Sequence, residues 1–203
     1  MTASQPNWKP RKVRYTQDSK SERHPVDDYP TPYAFVETLI NELGLNADEE
    51  VHEPCAGGGW AVHHLRRMGF DPTFEDLINS GVDYLAEDYD PPQTGWVITN
   101  PPYKLAEAFA HKALTHARGV ALLMNSSFIE SVGRAKGLFA DFPPSLILVN
   151  ARKMRLRNGA PSVFAHYWIV WDRDHEGPTE LRWVLPEGEI KMPSGMAPGV
   201  WEE

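Results

Sequence analysis

Helical and strand-like patterns of apolar residues alternate along the chain. Apolar positions at helical spacing predict a helix that starts at Tyr33 and ends at Gly44, and two more over residues 60–69 and 105–117. Runs rich in β-branched and aromatic residues predict strands at 50–53, 72–77, 95–99, 119–124, 145–149, 163–171 and 180–185. This alternation predicts an α/β fold with a mostly parallel sheet and helices on both faces. Residues 164–171 and 180–185 are predicted to form an antiparallel hairpin at one edge.

The composition indicates a single globular domain. The 203 residues include 41% hydrophobic positions, which is enough for a substantial core. Residues 1–24 are expected to be a flexible basic arm, residues 25–185 the domain, and residues 186–203, rich in Pro and Gly, a tail that wraps the surface. A cytoplasmic protein is expected, because no apolar run is long enough to span a bilayer and no signal-peptide pattern is present. The single Cys55 excludes an internal disulfide and a cysteine-cluster metal site.

Basic residues are concentrated in two segments, although the formal net charge is −8. Residues 1–24 carry six Lys or Arg against two acidic residues. The second cluster comprises Arg152, Lys153, Arg155 and Arg157. Such clusters attract phosphate groups, although a solvated arm and an ordinary charged loop would give the same pattern.

The predicted strand at 95–99 is followed by Asn100, Pro101, Pro102 and Tyr103. The prolines fix the backbone and lack N–H groups, so the turn presents carbonyl acceptors without competing donors. An amide oxygen, a backbone carbonyl and an aromatic ring together suit a planar heterocycle with an exocyclic amine, because the two oxygens accept its two N–H bonds and the ring covers its π face. These four residues also end ordinary strands, so the motif alone does not establish such a site.

A glycine-rich turn follows the first predicted strand, in the order Glu53, Pro54, Cys55, Ala56 and three glycines. Glycines there allow a tight turn and let a ligand approach backbone N–H groups at the start of a helix. The spacing is neither that of a dinucleotide fingerprint nor that of a nucleotide P-loop. An acidic residue beside a helix N-terminus suits a ligand with one amine and one carboxylate, such as the methionine part of S-adenosylmethionine. A plain strand-to-helix loop is the alternative.

A third segment, Tyr29-Pro30-Thr31-Pro32, precedes the first predicted helix. In chain order, residues 29–32, the glycine-rich turn at 53–59 and residues 100–103 resemble the motifs of the amino-group DNA methyltransferases. The resemblance is in particular to the short adenine-N6 enzymes often carried by phages and prophages. The resemblance covers about residues 28–173 and includes later blocks at 127–134 and 165–172. It implies a Rossmann-like, S-adenosylmethionine-dependent methyltransferase fold with a seven-stranded sheet.

The resemblance implies a role for each matching residue. Thr31 would contact the cofactor carboxylate, Glu53 would attract its amine, and Asp83 would accept from its adenine amine. Either Glu75 or Asp76 would accept from the ribose hydroxyls, because a register shift of one residue exchanges the two side chains. The implied cofactor contacts are Tyr29, Thr31, Pro32, Glu53, Pro54, Cys55, Ala56, Gly57, Gly59, Glu75, Asp76, Asp83, Tyr84 and Asn100.

The implied reaction is methyl transfer from S-adenosylmethionine to the N6 amine of an adenine flipped out of duplex DNA. Asn100 and Pro101 would accept the two N–H bonds and localise the nitrogen lone pair, Pro102 would complete the turn, and Tyr103 would stack on the base. No metal and no covalent intermediate are required. Phosphate contacts are expected from Lys104, Arg152, Lys153, Arg155 and Arg157.

Other substrates and partners stay open at this point. The same motif serves enzymes that methylate amines of RNA, cytosine N4 or a protein glutamine, and a catalytically silent module that binds S-adenosylmethionine or DNA is a further alternative. No segment has room for a separate target-recognition domain, so sequence preference is expected to be short or relaxed. The expected partner is double-stranded DNA, and no association with a membrane is expected. We expect a monomer or weak homodimer, in the bacterial host cytoplasm for a phage protein.

Overall fold

A computed structural model describes residues 30–156 and 158–201 of the chain. The basic arm, Tyr29 and Arg157 lie outside these described residues. The helices are α1 Tyr33–Leu43, α2 Trp60–Arg67, α3 Ala106–His116, α4 Val132–Lys136 and α5 Leu138–Asp141, with a 3-10 turn at Ser126–Phe128. The strands are β1 Val51–Glu53, β2 Thr73–Phe74, β3 Thr94–Thr99, β4 Ala117–Asn125, β5 Leu146–Asn150, β6 His166–Asp172 and β7 Glu180–Val184.

The strands of the described region form one seven-stranded sheet in the order β2–β1–β3–β4–β6–β5–β7. β1 pairs in parallel with β2 and β3, β3 in parallel with β4, and β5 in parallel with β7. β6 runs antiparallel to both of its neighbours, β4 and β5. The predicted α/β architecture with a mostly parallel seven-stranded sheet is confirmed.

The antiparallel strand lies in a different place from the predicted edge hairpin. β5 separates β6 from β7, and β7 pairs with β5 in parallel. The burial of the two strands explains this arrangement: Trp168 and Trp171 in β6 are 1% and 2% exposed, whereas Trp183 in β7 is 72% exposed. A strand that is apolar on both faces belongs inside a sheet, and a strand with a solvated face tolerates the edge.

Successive residues of the central strands point into two apolar layers, one on each face of the sheet. α1 covers one face, where the Trp168 indole N–H donates to the Phe35 carbonyl at 2.9 Å. The Ala-rich α3 covers the other face. α1 ends as predicted at Gly44, whose φ of 65° lets its N–H close the last turn. None of the described helices is long and apolar enough to cross a membrane.

The parallel strands β1, β2 and β3 end at the same edge of the sheet. β1 ends at Glu53, and β3 ends at Thr99, directly before Asn100. β2 is shorter than the predicted 72–77 because the chain turns at Asp76, whose Oδ1 accepts from the Ile78 N–H at 2.9 Å. Carboxyl ends of adjacent parallel strands lie together. The glycine-rich turn therefore meets Glu75, Asp76 and the Asn-Pro-Pro-Tyr turn at one edge of the sheet.

Candidate functional site

Thr31 links the helix that follows the glycine-rich turn to the Asn-Pro-Pro-Tyr turn. It is 3% exposed, its carbonyl accepts from Nε2 of His64 at 3.1 Å, and its hydroxyl accepts from Nδ2 of Asn100 at 3.2 Å. His64 lies in α2, the helix that follows the glycine loop (residues 54–59). Burial lowers the pKa of His64 to about 4, so this link is made by a neutral imidazole near pH 7. No motif in the sequence indicates this contact of His64.

The contact with Thr31 orients the Asn100 amide. Because Nδ2 donates to the Thr31 hydroxyl, Oδ1 lies at the other end of the amide plane. The turn that follows is compact, since Pro101 is buried and the Leu105 N–H donates to the Pro102 carbonyl at 2.8 Å. An oriented amide oxygen beside a rigid turn matches the acceptor chemistry expected of this motif.

His166 anchors the ring of Tyr103. Its Nε2 lies 3.0 Å from the Tyr103 hydroxyl, and the imidazole is 2% exposed. Burial lowers the pKa of His166 to about 4, so the ring is neutral near pH 7. Tyr103 itself is half-buried, which leaves part of its ring accessible while the hydroxyl is held. His166 belongs to a block that the resemblance included, but no pattern in the sequence links it to Tyr103.

Glu53 ends β1 at the base of the glycine loop. It is 1% exposed, and its Oε1 accepts from the Cys55 N–H at 3.0 Å. Burial raises the pKa of its carboxyl to about 8, against smaller opposing effects of the Thr99 side chain and the Cys55 N–H. The carboxyl group is therefore mostly neutral at pH 7, and a neighbouring cation would draw it into its charged form.

The backbone of the glycine loop is held by internal hydrogen bonds. The Gly59 N–H donates to the Ala56 carbonyl at 2.7 Å, and the Ala56 N–H donates to the Glu75 carbonyl at 3.0 Å. Pro54, Ala56 and Gly59 are buried, whereas Cys55 and Gly57 are half-buried. On the neighbouring segment, Pro32 is buried and directly precedes α1.

The structure separates Glu75 from Asp76. Asp76 is fully buried against the glycine loop, and its Oδ2 accepts from the Gly57 N–H at 3.2 Å. Glu75 lies in another cluster, where the Tyr89 hydroxyl donates to its Oε2 and its Oε1 is 3.3 Å from Nε2 of His52. The carboxylate next to the loop is therefore that of Asp76.

Asp83 and Tyr84 are neighbours in sequence with different surroundings. Asp83 is half-buried, and its Oδ1 accepts from the Leu85 N–H at 3.0 Å. Tyr84 is 2% exposed, and its hydroxyl oxygen lies 2.7 Å from Nε2 of His116 in α3. Burial raises the pKa of Tyr84 well above its usual value. The Tyr84 side chain is thus part of the core beneath α3, and only Asp83 presents a partly accessible polar group here.

The described residues of the second basic cluster lie in one loop, the basic loop (residues 151–165). A β-bridge joins Arg155 and Pro161 within it. The cationic groups of Arg152, Lys153 and Arg155 are exposed and donate to the carbonyls of Pro186, Val163 and Gly159 at 3.0, 2.9 and 3.0 Å. Bonds to neutral carbonyls do not themselves neutralise the positive charges of these three side chains, which favours an anionic partner.

The basic loop also carries two exposed apolar side chains shortly before His166, the residue that contacts Tyr103. Val163 is 80% exposed and Phe164 is 50% exposed. The loop leads directly into His166, the residue that anchors Tyr103, and Lys104 next to Tyr103 is also exposed. The sequence analysis missed Val163 and Phe164 because it assigned them to a strand.

Among residues 30–156 and 158–201, no group of three or more His, Cys, Asp or Glu side chains is arranged to hold a metal ion. The buried carboxyl groups of Asp76 and Glu75 instead accept hydrogen bonds from the Ile78 N–H and the Tyr89 hydroxyl.

The fold is similar to that of solved methyltransferases. A Listeria monocytogenes protein described as a class I S-adenosylmethionine-dependent methyltransferase aligns with a TM-score of 0.55 at 12% identity, over 83% of this chain and 69% of its own. The methyltransferase subunit of a type I restriction-modification system from Streptococcus thermophilus aligns with a TM-score of 0.51 at 14% identity, over 70% of this chain and 44% of its own. A Pyrococcus horikoshii protein described as an RNA methyltransferase aligns with a TM-score of 0.52 at 13% identity, over 68% of this chain and 79% of its own. No protein-family model and no curated protein matches the chain.

These alignments establish the fold. This chain spans 44% of the length of the Streptococcus subunit, which is less than half. One of these proteins is described as an RNA methyltransferase and another as a subunit of a restriction-modification system, so the fold does not choose among substrates. The chain has the Rossmann-like fold of the S-adenosylmethionine-dependent methyltransferases.

Proposed function

We propose that the chain is a methyltransferase that transfers a methyl group from S-adenosylmethionine to N6 of adenine in DNA. The observation that carries the proposal is the contact of Asn100 with Thr31, which also binds His64 of the helix behind the glycine loop. This contact brings an acceptor for a planar amine next to a loop that suits the methionine part of the cofactor. Similarity in fold to methyltransferases of three organisms supports the same reaction class.

Three carboxyl groups would hold the cofactor. Glu53 would take the methionine ammonium group, because a cation compensates the cost of ionising a buried carboxyl. Asp76 would accept from the ribose hydroxyls, since it lies against the glycine loop, whereas Glu75 lies in another cluster with Tyr89 and His52. Asp83 would accept from the adenine amine of the cofactor.

Two acceptors would activate the target amine. Asn100 Oδ1 and the Pro101 carbonyl would accept its two N–H bonds, which turns the lone pair out of the ring system and toward the methyl group. The bound cofactor supplies a methyl group on a sulfonium centre. The N–C bond forms as the C–S bond breaks with its electron pair moving to sulfur, and a proton then leaves the nitrogen to solvent. Tyr103, anchored by His166, would cover one face of the base.

DNA would bind along the basic loop. Lys104 and the described cations of this loop would contact phosphates on either side of the flipped nucleotide. Unstacking a base from a duplex costs a few kcal/mol, and an apolar side chain that enters the stack offsets part of that cost. Val163 and Phe164, which are exposed and precede His166 in the chain, would make such a contact.

Methyl transfer from labelled S-adenosylmethionine to a set of polymers tests the proposal. The protein is incubated with unmethylated duplex DNA, structured RNA and a protein mixture, and label is expected in DNA. Label in RNA or protein would retain the chemistry and overturn the DNA assignment. Cofactor binding without transfer to any of the three would instead identify a silent binding module.

A further inference from the structure

The C-terminal segment (residues 195–201) packs on the glycine loop and on the helix behind it. Its backbone is tied to the loop by the Ala197 N–H, which donates to the Gly58 carbonyl at 2.7 Å. Two α2 side chains reach the segment in return: Trp60 donates through Nε1 to Gly195 at 2.8 Å, and Arg66 donates through Nη1 to Gly199 at 2.9 Å. Residues more than a hundred positions apart in the chain are thereby joined at the candidate cofactor loop.

An apolar contact reinforces these hydrogen bonds. Val200 is 7% exposed and packs in a small cluster with Ala56 and Val62. A Cβ atom at Gly59 would lie 2.6 Å from Val200 Cγ1, so the absence of a side chain at this glycine is required by the C-terminal segment as well as by its φ of 80°. The sequence alone indicates a tight turn and a bound ligand at this glycine, and the structure adds the contact with Val200.

Trp201 bonds to the backbone carbonyl of Gly57, the residue whose N–H bonds to Asp76. Its Nε1 donates to the Gly57 carbonyl at 3.1 Å, and the Asn79 side chain donates to the same carbonyl at 2.7 Å. The Gly57 N–H donates to Asp76 Oδ2 at 3.2 Å. The Trp201 ring meets Phe74 of β2 edge-on at 5.1 Å. The shape of the glycine loop therefore depends on Trp201 as well as on the loop's own backbone bonds.

We infer that Trp201 and Val200 are positioning residues for the cofactor. The C-terminal segment holds the glycine loop in the conformation that receives S-adenosylmethionine. Because the loop is already ordered before binding, the free energy of binding is not reduced by the cost of ordering it. This inference rests on the proposed function, because it takes the loop to be the cofactor site. Neither residue is required to contact the methyl group or the DNA, so the segment acts on cofactor affinity and not on the chemical step.

The test measures cofactor affinity and loop protection in the full-length protein. Calorimetry with S-adenosylmethionine is expected to show at least tenfold weaker binding for Trp201→Ala. Trp201→Phe should lie between Trp201→Ala and the wild type, because it keeps the ring contact with Phe74 and loses the bond to Gly57. KM for S-adenosylmethionine should rise while kcat at saturating cofactor stays unchanged, a separation that a general loss of stability would not produce. Hydrogen exchange of the amides at 56–60 should become faster without any ligand.

Matched controls isolate the contact from general effects of substitution. Met196→Ala alters an apolar residue of the same segment that is 52% exposed, and Trp183→Ala removes a tryptophan that is 72% exposed on β7. Both variants should keep wild-type cofactor affinity. Wild-type affinity and wild-type loop exchange in folded Trp201→Ala and Val200→Ala variants would overturn the inference. If the wild-type protein bound no S-adenosylmethionine, the proposed function would fail, and unchanged loop exchange in Trp201→Ala would separately overturn the role of the C-terminal segment.

Discussion

Binding of S-adenosylmethionine should release a proton from Glu53. The carboxyl is 1% exposed, and burial raises its pKa to about 8, so it is mostly protonated in the free protein below that pH. The ammonium group of the cofactor would favour the ionised form. At pH 6, two units below the free-state pKa, ionising Glu53 costs about 3 kcal/mol. Binding between pH 6 and 7.5 should therefore strengthen about tenfold per pH unit, with about one proton released per cofactor.

Calorimetry in buffers of different ionisation enthalpy counts that proton directly. The range from pH 6 to 7.5 is chosen because the α-amino group of the cofactor stays mostly charged there. Glu53→Gln is the matched variant, since the amide keeps an acceptor for the Cys55 N–H and cannot ionise. It should bind the cofactor with no release of protons and with an affinity that does not change with pH. A wild-type affinity that is flat over this range, or a Glu53→Gln variant with the wild-type slope, would refute the assignment of Glu53.

Three further predictions follow from the surroundings of individual side chains. Asp76→Asn should weaken cofactor binding at least tenfold, whereas Glu75→Gln should lower the melting temperature and leave that affinity unchanged; the reverse pattern in calorimetry and thermal unfolding would exchange the two roles. Asp83→Ala should weaken cofactor binding several-fold, and an unchanged dissociation constant would remove this residue from the site. The folded-state pKa of His166 is lowered to about 4, so its contribution to stability is present above about pH 6.5 and is lost as the pH falls toward 4. Urea unfolding of His166→Gln should therefore show a smaller loss of stability between pH 7 and pH 5 than the wild type, and an equal loss would show that the pKa of His166 is not lowered in the folded protein.

The order of the secondary-structure elements could be predicted from the sequence because each depends on local patterns. α1 is defined by apolar residues at helical spacing and by Gly44, and β3 by a short apolar run before Asn100. The pairing of β6 was predicted less well, because strand neighbours depend on contacts between distant parts of the chain. The burial requirement was nevertheless visible in the sequence, since β6 is apolar on both faces and β7 alternates.

The polar contacts that hold the candidate site could not be predicted from local patterns. His64 meets Thr31 across 33 positions, and His166 meets Tyr103 across 63. Each histidine acquires its role from a partner brought close by the fold, and no spacing along the chain encodes that distance. The same holds for Trp201 and Gly57, which are 144 positions apart. The choice between Glu75 and Asp76 was likewise decided by which side chain faces the glycine loop.

Nucleoside mass spectrometry tests the central claim most directly. Unmethylated duplex DNA is incubated with S-adenosylmethionine and either the wild-type protein or Asn100→Ala, and cofactor binding of both proteins is measured alongside. The wild type should form N6-methyladenine, and Asn100→Ala should form none while it binds the cofactor nearly as well. N4-methylcytosine would keep the mechanism and change the base. N6-methyladenine formed by Asn100→Ala at more than a few percent of the wild-type rate would contradict the role of Asn100 as the acceptor that activates the amine.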